Sequence, residues 1–171
     1  EFRRVLFRSD KLIRGPEAAI IELVKNSYDA DSPSVDIKIT PPLLKNNDIT
    51  LPVIKHGEIV ISDNGHGMTY DEIIDIWLEP ATDSKAKKTD SRSGKRQVLG
   101  AKGVGRFATA SLGKTLELTS IAFSNGTLQK SQLTLDWEVF ESVKYLEDID
   151  IDIKTCQLVD ADTKTGISIK V

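Results

Sequence analysis

Fifteen residues, LGAKGVGRFATASLG (99–113), carry four glycines, at 100, 103, 105 and 113, together with Lys102 and Arg106. A glycine-rich turn with cations that runs into a helix-like stretch is suited to phosphate, because backbone N–H groups approach an anion closely where no Cβ intervenes. Three nucleotide-binding architectures write such a turn, and two of them can be tested at once. A P-loop needs G-x-x-x-x-G-K-[ST], the lysine for phosphate and the hydroxyl for magnesium. Gly100 and Gly105 have that spacing, but Arg106 and Phe107 stand where Lys and Ser/Thr belong. The dinucleotide fingerprint G-x-G-x-x-G/A matches Gly103, Gly105 and Ala108, yet it needs a strand immediately before it. What precedes is DSKAKKTDSRSGKRQVLG (83–100), polar and charged, with no room for a buried strand. The third architecture has to be identified from the rest of the chain.

Periodicity gives the frame. Residues 15–30, GPEAAIIELVKNSYDA, read as a helix: Pro16 suits the first helical position, Glu17 favours the first turn, and Ser32-Pro33 stop it. SVDIKIT (34–40) alternates like a half-buried strand, and the Pro- and Asn-rich stretch 41–57 reads as a long hairpin connection. EIVISDNG (58–65) is a buried strand ending in turn chemistry, and TYDEIIDIWLE (69–79) is a threonine-capped helix with Ile73, Ile74 and Trp77 at helical spacing. A third helix covers about 103–112. KTLELTSIAF and LQKSQLTLDW form a hairpin around Asn125-Gly126. A strand is expected near 149–155 within the acidic segment 138–164, and a last one over 166–171. Early helices with later hairpin-linked strands predict an α+β two-layer sandwich, a mixed, mostly antiparallel sheet covered on one face by helices.

The chain of 171 residues suffices for one full core, and its net charge of −3 does not indicate nucleic acid as a partner. Residues 84–106 nevertheless hold eight Lys or Arg against Asp90 alone, which is either a solvated loop or a segment that closes over a polyanion. Cys156 is the single cysteine, so no internal disulfide forms and a reducing, cytoplasmic location is expected. His56 and His66 have no partners for a zinc site, and no apolar run is long enough for a membrane span. Residues 1–10 lack defensible patterning and read as a non-native or disordered leader, with the domain over 11–171 and a further segment expected beyond Val171.

Two stretches carry chemistry besides the glycine turn. With Glu22 at zero on a helical wheel, Asn26 falls near about 40° and Asp29 near about −20°, one narrow polar face. Ile20, Ser27, Val24, Tyr28 and Ile21 are expected to cover the remaining buried arc. A solvated face would use long, interchangeable Lys and Glu stems. Here a base, a neutral oxygen ligand and a second carboxylate stand in line, which suits a magnesium ion that keeps several waters and completes its shell with phosphates. In SDNGHGMT (62–69), Asp63 ends a buried strand with its carboxylate at a cleft, and Gly65 and Gly67 permit close backbone approach to a flat ligand. A plain turn would account for this second motif alone.

Helix stripe, strand-end aspartate with glycines, basic loop and glycine turn, in that order, resemble the GHKL superfamily: the Bergerat-fold ATPases of gyrase B, ninety-kilodalton heat-shock chaperones, histidine kinases and MutL. The resemblance covers about residues 11–171 through ELVKNSYDAD, DNGHGM and GAKGVGRFA, and the wording is most similar to the Hsp90-like and MORC-like domains. It implies ATP and Mg2+ as cofactors. It implies Glu22 as general base for the attacking water, Asn26 as magnesium ligand, and Asp29 as the acidic residue that helps shape the nucleotide pocket. Asp63 would read the adenine amine, with Gly65 beside it, backbone room at Gly67 and apolar contact from Met68. Residues 79–102 would be the ATP lid, with 82–99 its most mobile part. Lys102 and the backbone of Gly103, Val104, Gly105, Arg106 and Phe107 would bind phosphates. The family's late Gly-Thr pair falls at TGIS, where Ile167 occupies the threonine slot and either Thr165 or Ser168 could substitute.

The activity implied is slow ATP hydrolysis by a domain that acts as a conformational and dimerisation switch. Its partners would be ATP/ADP, a downstream domain and a homodimeric mate in the full-length protein, with no membrane. The alternatives are a histidine-kinase catalytic domain or a nucleotide-binding scaffold without turnover. Kinases of this type usually lack a glutamate four residues before the asparagine, so Glu22 favours hydrolysis.

Overall fold

The computed structural model describes residues 15–42, 56–78, 89–100, 109–142, 150–159 and 163–171. Helix α1 (Pro16–Asp29) begins with proline at its first turn and Glu17 beside the positive end of its dipole. It buries Leu23 in the core and Ser27 against Asp63 of β2, while Ala19 is buried beside Ala18 and Leu112. The buried arc is narrower than expected, for Ile21 is 54% and Tyr28 39% exposed. Leu23 and Ser27 make the contact with the core and with Asp63, and Ile21 and Tyr28 stay outside it.

Strands β1 (Val35–Thr40) and β2 (Glu58–Asp63) pair antiparallel, so the connection through 41–57 is a hairpin connection as read; residues 43–55 of it lie outside the described residues. Helix α2 (Tyr70–Glu72) starts on a capping box, Thr69 accepting from the Glu72 N–H while the Glu72 side chain accepts from the Thr69 N–H. It continues as a π-helical stretch, Ile73–Leu78, not as the regular helix expected. The i to i+5 pattern of such a stretch aligns Ile73 with Leu78, and both pack into the core while Ile74 stays outside.

Strands β3 (Thr115–Ser124) and β4 (Thr127–Asp136) form the expected hairpin, with Asn125 at φ 52° and Gly126 at φ 82°, as a two-residue turn matched to strand twist requires. Helix α3 (Trp137–Ser142) follows, then β5 (Ile153–Leu158), a few residues later than expected, and β6 (Gly166–Lys170). The helix expected over 103–112 is described only at its end, where residues 109–111 form a single 3₁₀ turn; the rest lies outside the described residues.

Among the described residues six strands run in the order β1-β2-β6-β3-β4-β5, and every pairing is antiparallel, where a mixed, mostly antiparallel sheet was expected. The two faces differ in kind. Ile61, Ile169, Leu118 and Leu133 lie side by side across the covered face and form the core with Leu23, Ile73, Leu116, Leu135 and Trp137. Burial of each such side chain contributes on the order of 1.5–3 kcal/mol. The opposite face carries polar pairs beside exposed apolar residues such as Phe123: Lys170 lies 3.1 Å from Glu58 and 3.7 Å from Glu117, and Ser62 bonds Ser168 at 2.9 Å. One covered and one solvated face, with helices on the former, is the predicted α+β sandwich. The last strand, β6, inserts in the middle of the sheet between β2 and β3, and so reaches Asp63.

Candidate nucleotide site

Asp63 is the last residue of β2, on the covered side of the sheet beneath α1. Three donors hold its carboxylate. The Ser27 hydroxyl donates to Oδ2 at 2.8 Å; the backbone N–H groups of Gly65 and Ile167 donate to Oδ1 at 2.9 and 3.3 Å. A carboxylate has about four acceptor positions, so one remains, on Oδ2, for an outside N–H donor.

The loop after Asp63 is fastened on every side. Asn64 joins the turn after α1 through Ser32, its N–H donating to Ser32 Oγ at 3.1 Å and its Oδ1 accepting from that hydroxyl at 2.8 Å. A Cβ on Gly65 would come within 2.5 Å of the Ala30 carbonyl oxygen. Gly67, at φ +67°, would place one 2.0 Å from the Ile121 carbonyl oxygen. Both glycines are therefore demanded by the fold's own packing, whatever ligand lies beyond. Ser120, fully buried, clasps Met68 by accepting from its N–H at 2.7 Å and donating to its carbonyl at 2.8 Å. Met68 packs half-buried against the core.

At the late threonine position neither candidate hydroxyl reaches Asp63. Thr165 Oγ1 donates to the Gly65 carbonyl at 2.7 Å, and Ser168 points to the opposite face, toward Ser62. The support for Asp63 comes instead from the Ile167 backbone and from Ser27. Gly166 permits this: at φ +150°, a Cβ there would fall 2.1 Å from the Asp63 carbonyl oxygen.

Along α1, Glu22 and Asn26 sit half-buried, one turn apart. Glu22 accepts an ion pair from Lys25 at 2.7 Å, and both side chains stay partly solvated. Asn26 makes no side-chain hydrogen bond among the described residues, which leaves its oxygen available. Asp29, on the same helix, has partners of its own. Its oxygens accept from the backbone N–H groups of Leu99 at 2.8 Å and Gly100 at 2.9 Å. It thus holds the chain at Leu99 and Gly100, the last described residues before 101–108. Lys102, Gly103, Val104, Gly105, Arg106 and Phe107 lie outside the described residues.

Within the expected lid, residues 89–100 form a small hairpin. Asp90 pairs with Gln97, Ser91 N–H donates to the Arg96 carbonyl at 2.8 Å, and Val98 N–H to that of Thr89 at 3.0 Å. Polar side chains pin it to the end of α1, so low apolar content does not leave it unanchored. The remainder of the expected lid, 79–88, lies outside the described residues.

Sequence reasoning missed Ser27, placed in the buried arc with no partner named. A hydroxyl amid small and apolar residues on the sheet-facing side of a helix needs an acceptor when buried, and the strand-end carboxylate is the available one. It also missed Ser120, which alternation places on the covered face of β3 among Leu116, Leu118 and Ala122.

No helix of the described residues is long and apolar enough to cross a membrane. No curated protein matches the chain as a relative. A family model described as histidine kinase-, DNA gyrase B- and HSP90-like ATPase matches residues 13–165, a span that contains the α1 stripe, the Asp63 loop and the glycine turn. With the α+β sandwich and the Asp63 cradle, this agrees with the resemblance drawn from the three motifs: the chain belongs to the histidine kinase-, DNA gyrase B- and HSP90-like (GHKL) ATPase family.

Proposed function

We propose that this domain binds ATP with magnesium, hydrolyses it, and acts in the cytoplasm as a nucleotide-driven conformational and dimerisation switch within a larger protein. The observation that carries the reading is the hydrogen bond from Ser27 to Asp63, which ties the strand-end carboxylate to the helix bearing Glu22 and Asn26. Asp63, with one acceptor position left, takes the adenine amine, while Met68 offers an apolar contact to the ring. Lys102 and the backbone N–H groups of 103–107 take the phosphates.

Magnesium fits this donor set in a limited way. Among the described residues no group of three or more His, Cys, Asp or Glu side chains is placed to hold a metal. A hard cation that keeps several waters needs only one or two protein oxygens when substrate phosphates supply others, and the Asn26 oxygen, which makes no hydrogen bond among the described residues, is suited to that role. Glu22, one turn away, is placed to orient and deprotonate a water, which favours hydrolysis over phosphate transfer to a histidine.

Calorimetric titration tests the reading. Asp63→Asn removes a charge-assisted acceptor worth about 1.5–3 kcal/mol, so ATP affinity should fall roughly tenfold to a hundredfold. Wild-type affinity in that variant would remove Asp63 from the site and overturn the assignment.

A further inference from the structure

Helix α1 ends in a way that its own stability does not favour. Carboxylates are unfavourable near the negative end of a helix dipole, yet Asp29 closes the helix, Asp31 follows it, and the last turn holds no basic residue. The hairpin of residues 89–100 answers all of this. Asp31 Oδ2 accepts from the Ser93 N–H at 2.8 Å, and its Oδ1 from the Ser93 hydroxyl at 2.7 Å. Arg96 donates from Nη1 to the carbonyls of Tyr28 at 3.1 Å and Ser32 at 2.8 Å, and its guanidinium lies 4.6 Å over the Tyr28 ring. That supplies the missing cation and satisfies carbonyls at the helix terminus. Arg92 pairs with Glu72 of α2, tying the hairpin to a second element. Asp29 then fixes the exit of the hairpin at Leu99 and Gly100, two residues before Lys102.

We propose that Asp31 and Arg96 are positioning residues for phosphate binding: they lock the 89–100 hairpin onto the end of α1, and so set where the chain enters the Lys102–Phe107 turn. The proposal rests on the nucleotide reading above. Neither residue needs to touch the ligand. The hairpin, up to Gly100, is held on the same helix whose preceding turns carry Glu22 and Asn26, and Lys102 follows two residues later in the sequence. Adenine recognition by Asp63 uses β2, β6 and Ser27, none of which belongs to the hairpin.

The separation of the two subsites makes the test. Asp31→Asn suits the backbone, because Asp31 sits at φ 59° and asparagine tolerates the left-handed region well. Arg96→Ala removes the stacked guanidinium, and Ser93→Ala is the milder variant, keeping the backbone N–H contact. Binding of ATP is measured by calorimetry, adenosine by NMR titration, and stability by thermal melting. For Asp31→Asn and Arg96→Ala we expect ATP affinity to fall about tenfold, adenosine affinity to stay within about twofold, and KM for ATP to rise more than kcat falls. Ser93→Ala should move ATP affinity in the same direction by less. Equal losses for ATP and adenosine would show a general structural role and overturn the proposal. Wild-type ATP binding that the variants retain in full overturns this proposal alone. A wild-type chain that binds no ATP overturns the nucleotide reading and this one with it.

Discussion

Ser27 on α1 and Asp63 at the end of β2, 36 residues apart, are joined by a hydrogen bond of 2.8 Å. The bond fastens a helix to the sheet through a polar contact in a region where the rest of the helix packs by Ala19 and Leu23. It also takes one of the two acceptor positions of Oδ2, the oxygen that the backbone donors of Gly65 and Ile167 leave free. Fold and site thus share one interaction.

Ser27→Ala should therefore weaken both. Removing the hydroxyl strips Asp63 Oδ2 of its donor within a partly buried cradle, a loss of about 1–3 kcal/mol, at the lower end because Asp63 retains two backbone donors. ATP affinity should fall several-fold as the carboxylate loses its fixed orientation. Urea unfolding and calorimetry report the two effects; a Ser27→Ala variant that binds ATP as tightly as wild type would separate the bond from the site.

Glu22 and Asn26 should divide binding from chemistry. Glu22→Gln keeps the side chain's shape and removes its basicity, so ATP binding should persist while hydrolysis drops by at least the roughly 10²-fold typical of a lost general base. Asn26→Ala should instead reduce the gain in nucleotide affinity that magnesium brings. A steady-state phosphate-release assay with binding measured with and without magnesium distinguishes them. Turnover at the wild-type rate by Glu22→Gln would remove it from the base role.

Much of this was legible in the chain. The polar stripe of α1, the Asn125-Gly126 hairpin and the Asp63 loop rest on local rules, a 3.6-residue period, a turn needing positive φ and a strand run into Asx-Gly chemistry. Long-range pairings were not legible. Nothing in GISIK announces that β6 enters between β2 and β3, yet that insertion brings the Ile167 N–H to Asp63 and makes Gly166 obligatory. The hairpin at 89–100 was read as loose because it is polar. Its anchors, Asp31 and Arg96, are 65 residues apart by number (96 − 31), and no local pattern links them.

Asp31 also sets a pH dependence. The hydroxyls of Ser91 and Ser93, the Ser93 N–H and the nearby Arg96 charge hold its carboxyl at about 2, below the usual 3.8. A folded value below the unfolded one means that the ionised carboxylate favours the docked hairpin. That contribution is complete above about pH 3.8 and is lost as pH falls from there through about 2. Carbon-detected NMR titration of Asp31 should give a midpoint near 2, and the Ser93 amide should shift with it. In Ser93→Ala the midpoint should move up. An ordinary aspartate titration in the wild-type chain would mean that the serine cradle does not persist in solution.

Gly67 and Gly94 provide a comparison that separates crowding from backbone strain. Their φ values nearly coincide, +67° and +69°, so alanine meets the same conformational penalty at either, about 1–2 kcal/mol. The surroundings differ completely. A Cβ at Gly94 has nothing within 4 Å, whereas at Gly67 it would sit 2.0 Å from the Ile121 carbonyl oxygen and 3.2 Å from the Ala122 Cβ, both in the central strand β3. That overlap can be relieved only by shifting Met68 away from Ser120 or by opening β3, and each route breaks buried hydrogen bonds. Gly94→Ala should consequently lower stability by no more than about 2 kcal/mol and leave nucleotide binding measurable. Gly67→Ala should lose the backbone penalty plus several kcal/mol of overlap and broken bonds, a severe loss for a domain whose total stability is on the order of 5–15 kcal/mol. Urea unfolding of the two variants side by side checks this. Equal losses would show that backbone conformation alone accounts for glycine at position 67, and that the close packing of the Asp63 loop on β3 contributes nothing measurable.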